Sequence, residues 1–384
     1  MSVTAAKGFR AAGVAAGIKA SGRSDVALVV NDGPQRHAAG VFTGNRIKAA
    51  PVLWSEQVVK GGHVVAVVLN AGNANACTGA VGFQHAHRTA EEVARVLNDS
   101  AAQVAVCSTG LIGEYLPIDK LLTGVHAASA VLDAGGGNAA AQAIMTTDTV
   151  PKEATAISPA GWTVGGMAKG AAMLAPGLAT MLVVLTTDAV ADAPTLDQAL
   201  RAATAKTFDR LDSDGCMSTN DTVLLLASGA SGIEADGDEL SAAVTQVCAA
   251  LADKLIDDCE GASKVIEIEV LGAVSESEAV DVARAVSRSN LLKCAIHGQD
   301  PNWGRILSAL GTTSATFDDD GVDVAINGVW VCRSSTIGDD RSLVDMSARR
   351  VAITIDLHAG AAAAKLLTTD LTAEYVRENS AYST

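Results

Sequence analysis

The residues best suited to chemistry lie in the stretch 169–187, where Lys169 and Thr180 flank a Pro-Gly turn. The stretch reads KGAAMLAPGLATM and continues directly into the apolar residues 182–185. A Pro-Gly turn followed by small residues delivers Thr180 to the start of a buried strand, which would hold its hydroxyl in place. A held hydroxyl can act as a nucleophile once a nearby base activates it. Strand packing alone also favours a threonine there, because β-branched residues fit strands.

Three other patterns give weaker signals. Residues 165–170 are rich in glycine and contain a lysine, but no Ser or Thr follows Lys169 to bind magnesium, so we expect no phosphate loop. His85 and His87 could supply two metal ligands, yet no further ligands at regular spacing accompany them, and we expect a surface segment. Ser108 lacks the glycine two residues before it that a nucleophile elbow needs, which argues against a serine triad. The sequence therefore predicts no metal site.

The elements that must position Thr180 follow a mixed α/β pattern. Apolar runs predict strands at 26–30, 64–69, 181–187, 222–227, 265–270, 322–326 and 351–357. Helices are predicted at 89–98, 196–208, 240–256 and 275–289. Thr89 with Glu92 and Ser275 with Glu278 have capping-box spacing. In 266–270, buried and charged residues alternate, which favours antiparallel or mixed sheets.

Composition and charge limit the class of protein. The chain has 384 residues, 49% hydrophobic and 18% charged, which excludes a disordered or collagen-like protein. Its formal charge is -15 with no run of Lys or Arg, so neither nucleic acid nor a membrane surface is an expected partner. The seven cysteines include no CxxC pair, and we expect them to be reduced residues of the core. No apolar run reaches the ~18 residues that a membrane-spanning helix needs. We also see no signal sequence and expect a cytoplasmic protein.

The Thr180 stretch resembles the self-cleaving segment of the ornithine acetyltransferase (ArgJ) family, whose pattern is K-G-x-x-M-x-A-P-x-x-A-T-M. Every fixed position of that pattern is matched at 169–181. Six further segments resemble family motifs in order along the chain, namely 70–79, 107–113, 146–149, 214–222, 294–305 and 378–384. The departures, Ala171-Ala172 and Gly177, are small residues in the turn and bear on the rate of cleavage more than on its occurrence.

The resemblance implies a nucleophile that the chain makes by cutting itself. Thr180 would attack the carbonyl of Ala179, leaving an α fragment 1–179 and a β fragment 180–384 that fold together. The freed amino group of Thr180 would then serve as the base for its own hydroxyl. Thr109 and Gly110 match the residues that stabilise the oxyanion. The implied fold is a layered α/β sandwich with mixed sheets, built from the two fragments, of the type shared with DmpA-like aminopeptidases.

The resemblance also implies the substrates and their contacts. Acetyl would pass from N-acetylornithine to Thr180 and then to glutamate, giving ornithine and N-acetylglutamate, without a cofactor. Acetyl-CoA would be an additional substrate if the enzyme is bifunctional. The implied substrate contacts, alongside Thr180, are Thr146 or Thr147, Lys169, Glu260, Asn379 and Thr384. Lys169 suits a carboxylate and Glu260 an ammonium group. The expected assembly is an α2β2 heterotetramer.

Two alternatives stay open from the sequence. The first is a self-cleaving amide hydrolase or aminopeptidase, in which water resolves the acyl-enzyme. The second is an uncut metabolite-binding protein with the same fold. The matched residues Asp300, Asn302, Trp303 and Arg305 receive no catalytic role here, because a buried Trp with hydrogen-bonded polar neighbours explains them.

Overall fold

The computed structural model describes residues 2–175 and 181–381, in which strands and helices alternate along most of the chain. The strands are β1 (Phe9–Val14), β2 (Val26–Asn31), β3 (His37–Phe42), β4 (Ala66–Asn73), β5 (Val104–Leu111), β6 (Lys152–Ile157), β7 (Thr163–Lys169), β8 (Leu182–Thr187), β9 (Thr222–Ala227), β10 (Val265–Ala273), β11 (Asp323–Ile326), β12 (Val329–Arg333), β13 (Thr336–Ile337), β14 (Arg350–Asp356) and β15 (Ala362–Thr369). The α-helices are α1 (Ala50–Lys60), α2 (Gly79–Leu97), α3 (Ile118–Ala130), α4 (Gly137–Ala143), α5 (Ala193–Lys206), α6 (Gly237–Asp257), α7 (Glu276–Ser287), α8 (Asn290–His297), α9 (Trp303–Leu310) and α10 (Ala373–Ala381).

The first sheet has the strand order β1-β2-β4-β5. β2 pairs antiparallel with β1 and with β4, whereas β5 runs parallel to β4. Every residue of β2 is buried. A strand buried on both faces is a continuous apolar run, which is why VALVV stands out in the sequence.

The second sheet has the order β3-β9-β8-β7-β6 and takes strands from both sides of residue 180. β7 and β8 are antiparallel neighbours, and the pair nearest to residues 176–180 is Lys169 opposite Leu182. The glycine-rich residues 165–170 lie mostly within β7 rather than in a loop, so no phosphate loop forms. Gly165 lies against the backbone of Ser2, whose carbonyl oxygen would be only 2.3 Å from an added Cβ atom. The glycines of this segment therefore permit close packing.

The two sheets pack face to face and are covered by helices on their outer faces. The inner core contains Leu69 from the first sheet and Val184 from the second. Helices α2 and α3 cover the first sheet, and α5 and α6 cover the second. Alternation along β8 divides its side chains between these layers, because Val184 faces the inner core while Val183 and Leu185 face the helices. The predicted layered α/β sandwich is confirmed.

The third sheet, with order β13-β12-β11-β14-β10-β15, follows in the C-terminal part of the chain. Helices α7, α8 and α9 pack with it around a separate core. Central strand β10 is parallel to β14 and antiparallel to β15, so the sheet is mixed, as predicted from the alternation in 266–270. Glu267 on its outer face pairs with Lys365 Nζ at 2.6 Å.

The seven predicted strands and four predicted helices all occur, but one helix begins ten residues before its predicted start (89 − 79). That helix spans Gly79–Leu97, and the predicted capping box at Thr89 is wrong. Thr89 lies in mid-helix, where its hydroxyl donates to the carbonyl oxygen of His85 at 2.8 Å. The serine of the second predicted box is confirmed as a cap, since Ser275 Oγ accepts a hydrogen bond from the Glu278 amide at 3.2 Å.

The prediction of reduced core cysteines is right for four of the seven residues. All seven are unpaired, and Cys107, Cys248, Cys259 and Cys332 are buried, whereas Cys77, Cys216 and Cys294 are exposed. The expectation of a buried Trp303 is also wrong, because this residue is only partly buried at the first turn of α9. Asn302 caps that helix by accepting a hydrogen bond from the Arg305 amide at 3.3 Å.

Candidate active site

One cavity brings together every predicted site residue that the structure describes. Its lining includes Thr109, Gly110, Thr146, Thr147, Lys169, Glu260 and Asn379. These residues are separated by up to 270 positions in sequence (379 − 109) and come from β5, β7, α10 and two loops. Ala171, Ala172 and Met173, which lead toward Thr180, line the same cavity. The predicted residues Ala179, Thr180 and Thr384 lie outside the described part of the chain.

Thr109 and Gly110 lie near the end of β5, where its pairing with β4 becomes irregular. Asn73 of β4 is opposite both Thr109 and Leu111, so the ladder bulges at this point. Gly110 has φ +128°, and an added Cβ atom would lie 2.4 Å from the carbonyl carbon of Gly72. Only glycine fits such a position. The bulge therefore gives a glycine turn beside a threonine at the wall of the cavity.

Ser108, the residue before this pair, has a structural role. It is buried, and its hydroxyl donates to Asn70 Oδ1 at 2.6 Å. Its backbone oxygen accepts from Asn220 Nδ2 at 2.8 Å. These bonds hold β5 against β4 and against the loop before β9.

Lys169 lies at the end of β7 and is 2% exposed. Its Nζ donates to Thr109 Oγ1 at 3.1 Å. An ammonium group can only donate, so the Thr109 oxygen must accept, and its own proton remains available for another acceptor. Burial lowers the pKa of Lys169, and the nearby carboxylate of Asp148 opposes that shift. The lysine thereby orients the Thr109 hydroxyl as a donor.

A buried ionic cluster that the sequence reasoning missed lies behind Lys169. Lys152 is fully buried, and its Nζ is 2.6 Å from Asp148 Oδ1 and 2.6 Å from Asp258 Oδ2. Asp148 also accepts hydrogen bonds from the amides of Thr146 at 2.9 Å and Gly170 at 2.7 Å. The sequence does contain a sign of this ionic cluster, because Asp148 belongs to the matched motif 146–149 and Lys152 follows it by four residues.

The charge of Asp148 is stabilised by these contacts. Burial acts to raise the pKa of this carboxyl, but the charges of Lys169 and Lys152, with the hydrogen bonds from Lys152 and the Gly170 amide, lower it to about 2. Asp148 is therefore ionised at neutral pH. It fixes the loop that carries Thr146 and Thr147 and the backbone that follows Lys169.

Glu260 and Asn379 close the other side of the cavity. Asn379 Nδ2 donates to Glu260 Oε2 at 3.0 Å. The Glu260 amide donates to the carbonyl oxygen of Ala171 at 2.8 Å, which ties this acidic residue to the segment before Thr180. The C-terminal helix α10 thus supplies a residue to the cavity.

The loop before β9 holds the backbone on both sides of residues 176–180. The Met173 amide donates to Asp214 Oδ2 at 2.8 Å, and the Leu174 amide donates to Ser213 Oγ at 3.0 Å. On the far side, the Met181 amide donates to Asp221 Oδ1 at 3.0 Å. The matched motif 214–222 drew attention to this loop, but sequence reasoning assigned its residues no role.

The described residues contain neither a cluster of metal ligands nor a membrane-spanning helix. In the ranges 2–175 and 181–381 no group of three or more His, Cys, Asp or Glu side chains could hold a metal ion. His87 is exposed on α2, as predicted, and faces Glu91 at 3.6 Å. No helix in these ranges is long and apolar enough to cross a membrane.

The layered α/β fold surrounds a cavity that joins a buried lysine, a threonine-glycine turn and a glutamate, an arrangement suited to an acyltransferase. The family model for the ArgJ family matches residues 10–384, and the chain belongs to that family. As a member it is an acyltransferase of arginine biosynthesis.

Two bacterial relatives match along their whole length. The chain is 65% identical over 383 residues to the arginine biosynthesis bifunctional protein ArgJ of Streptomyces coelicolor, covering 100% of both chains. It is 62% identical over 384 residues to the protein of the same name from Thermobifida fusca, again covering 100% of both. Among solved structures, ornithine acetyltransferase from Mycobacterium tuberculosis, complexed with ornithine, is 57% identical with a TM-score of 0.45. That match covers 47% of this chain and 96% of the solved one.

Proposed function

We propose that the chain is a glutamate N-acetyltransferase that moves acetyl from N2-acetyl-L-ornithine to L-glutamate through an acyl-enzyme on Thr180. The observation that carries the proposal is the single cavity lined by seven predicted residues and by Ala171–Met173, directly before the Thr180 segment. The ArgJ relatives, with their arginine-biosynthesis names, support the same reaction. The transfer would regenerate N-acetylglutamate and release ornithine in a cyclic route.

The first step in this proposal is self-cleavage. The Thr180 hydroxyl attacks the carbonyl carbon of Ala179, the peptide bond breaks, and water hydrolyses the resulting ester. The products are the α fragment 1–179 and the β fragment 180–384. The new amino group of Thr180 has an ordinary pKa of roughly 8 and can accept the proton of its own hydroxyl. Because the second sheet contains strands from both fragments, they remain joined.

The acyl-transfer steps need donors for a developing oxyanion. We assign this role to the Thr109 hydroxyl and the Gly110 amide, which lie at the bulge of β5. The bond from Lys169 leaves the Thr109 proton free to point at the oxyanion. Preorganised donors of this kind act most strongly in a site closed to water. Removal of one such donor usually lowers the rate by roughly 10²–10³-fold.

Substrate recognition rests on opposite charges at two sides of the cavity. Lys169 supplies the positive charge for a carboxylate, and Glu260 supplies the negative charge for an ammonium group. Thr146, Thr147, Asn379 and Thr384 complete the proposed contacts. The ornithine complex of the M. tuberculosis relative supports an amino acid of this type as a ligand.

The remaining proposals concern partners and compartment. The exchange passes an acyl group between a hydroxyl and amines, so it needs no cofactor. The relatives are named bifunctional, which supports acetyl-CoA as a second acetyl donor. We propose an α2β2 assembly of the two fragments, with neither nucleic acid nor membrane as partner. Seven unpaired cysteines fit a reducing compartment, the cytoplasm.

The Thr180→Ala variant tests the nucleophile. We expect one intact chain on a denaturing gel and no acetyl transfer from N-acetylornithine to glutamate, whereas the wild type shows two fragments of 179 and 205 residues (384 − 179). Thr123→Ala, at an exposed position on α3, is the matched control and should be cut and active. An active, processed Thr180→Ala protein would refute the proposal. Deacetylation that glutamate does not affect would instead indicate a hydrolase, and activity with acetyl-CoA alone would establish the second donor.

A further inference from the structure

A second cavity, which we call the cationic pocket, lies behind one wall of the catalytic cavity. Its volume is about 400 Å³. Its described lining consists of Lys19, Arg23, Ser24, Gln142, Met145, Thr149 and Pro151. Met145 and Thr149 line this pocket, whereas Thr146 and Thr147, from the same loop, line the catalytic cavity. The loop 145–149 is therefore a wall that the two cavities share.

The charge of the cationic pocket is opposite to that of the protein as a whole. Its described lining has two cations and no carboxylate, although the chain carries a formal charge of -15. By contrast, the catalytic cavity includes Glu260, and the groove between α5 and α7 includes Asp209, Glu276 and Asp281. Two cations without a counter-charge at one opening favour an anionic ligand.

The loop between β1 and β2 holds Lys19 at this pocket. The buried carboxylate of Asp25 accepts the amide hydrogen bonds of Ile18 at 2.6 Å and of Lys19 at 3.0 Å. The Nζ atom of Lys19 donates to the carbonyl oxygens of Ser24 at 2.6 Å and Ala143 at 3.0 Å. An ammonium group has three donors, so these two bonds leave one donor for a ligand.

Lys19 also packs against the wall that carries the proposed oxyanion donors. A Cβ atom added to Gly72 would lie 3.2 Å from Cγ of Lys19, so the lysine side chain lies directly on this glycine. Gly72 is opposite Gly110 in the ladder between β4 and β5. Burial lowers the pKa of Lys19 to about 8, Asp25 opposes the shift, and the charges of Arg23 and Lys169 add to it. A bound anion would relieve this repulsion between cations.

The sizes of the two cavities suit two parts of one elongated ligand. The catalytic cavity has a volume of about 100 Å³, which is too small for a nucleotide. The cationic pocket falls within the range of roughly 300–1,000 Å³ that is usual for ligand sites. Acetyl-CoA carries its thioester at one end of a long pantetheine arm and its phosphates at the other end. Such a donor needs an anion site that is outside the catalytic cavity but close to it.

We propose that the cationic pocket binds phosphate groups of acetyl-CoA, with Lys19 and Arg23 as the donors. The inference rests on the proposed function, in which acetyl-CoA is a second acetyl donor. Lysine and arginine are the side chains that usually bind phosphate, the first as a point charge and the second through paired N–H groups. N-acetylornithine has no phosphate, so its reaction does not require this pocket.

A thioester without phosphates provides the test. S-acetyl-N-acetylcysteamine has the reactive end of acetyl-CoA but no nucleotide. Initial rates of glutamate acetylation are measured with acetyl-CoA, with this short thioester and with N-acetylornithine. Arg23→Gln should lower kcat/KM for acetyl-CoA by about tenfold, mainly through KM, because it removes one charge-assisted hydrogen bond. The values for the other two donors should stay at the wild-type level. Lys60→Met, at an exposed position on α1, is the matched control and should leave all three unchanged.

Competition experiments identify the source of the anion. Adenosine 3′,5′-bisphosphate should compete with acetyl-CoA but not with N-acetylornithine, and inorganic phosphate should compete far more weakly. Inorganic phosphate that competes equally well would assign the pocket to a free anion and overturn the proposal.

Three other results would also overturn it. These are an unchanged kcat/KM for acetyl-CoA in Arg23→Gln, an equal loss with the short thioester, and a wild type that uses N-acetylornithine but not acetyl-CoA. A wild type that uses neither donor would instead refute the proposed function.

Discussion

Replacing Lys152 by methionine should destabilise the protein strongly. Lys152 is fully buried at the start of edge strand β6 and neutralises two carboxylates, each with an oxygen 2.6 Å from Nζ. Methionine has a similar length but no charge. The variant leaves Asp148 fully buried, with only the more distant charge of Lys169 and two backbone amides to stabilise it.

The size of the effect follows from the cost of an unpaired buried charge. Removing one partner of a buried ion pair costs roughly 3–5 kcal/mol. Unfolding entropy is about 2.1 cal/mol/K per residue, or roughly 0.8 kcal/mol/K for a chain of 384 residues. The expected loss in Tm is therefore about 4–6 °C. Differential scanning calorimetry at pH 7 measures it directly.

Lys254→Met is the matched control for this substitution. Lys254 is exposed on α6 and donates to the carbonyl oxygen of Glu153. Surface substitutions usually change stability by no more than about 0.5 kcal/mol, so its Tm should stay close to that of the wild type. If the Tm of Lys152→Met equals that of the control variant, the assignment of Lys152 as the counter-charge of Asp148 is wrong.

Two further predictions concern the same region. Gly110→Ala should reduce acetyl transfer by roughly 100-fold or more, because a Cβ atom 2.4 Å from Gly72 displaces the proposed oxyanion donors; full activity in a steady-state assay would contradict this. Folding lowers the pKa of Asp148 to about 2, from a value near 4 in the unfolded chain. The ionised carboxylate therefore contributes about 2 kcal/mol to the free energy of unfolding above pH 4, and this contribution is lost as the pH falls toward 2. Urea unfolding at successive pH values measures this loss, and for Asp148→Asn, which has no carboxyl to titrate, the decline between pH 4 and 2 should be smaller by that amount.

The core strands were predictable because their burial leaves a direct trace in the sequence. β2, β8 and β9 are buried along their whole length and appear as uninterrupted apolar runs. β10 alternates because one face is wet. Short or partly exposed strands carry no such trace, and β1, β3, β6, β12, β13 and β15 were missed. β5 and β7 were also missed although they are mostly buried, because small and polar residues interrupt their apolar runs. The start of α2 was missed because its first residue is Gly79 and the Thr78 side chain before it makes no capping hydrogen bond.

The site was predictable as a set of residues but not as an arrangement. The family resemblance identified Thr109, Lys169 and Glu260, yet the contacts around them depend on pairing across sheets that no spacing rule reveals. Lys152 and Asp258 were missed for the same reason, since 106 positions separate them in sequence. Asp221 belongs to a matched motif, but its complete burial depends on the fold and could not be predicted from the sequence.

The strands of the second sheet interleave the two halves of the chain. β3, β7 and β6 precede residue 180, whereas β9 and β8, which lie between β3 and β7, follow it. The unbroken chain can fold as a single molecule, with its two halves tethered. Once cut, the same sheet could be rebuilt only by an encounter of separate pieces, at a speed that depends on their concentration. Processing would thus turn a protein that can renature alone into one whose native form, once lost, is recovered only by reassembly.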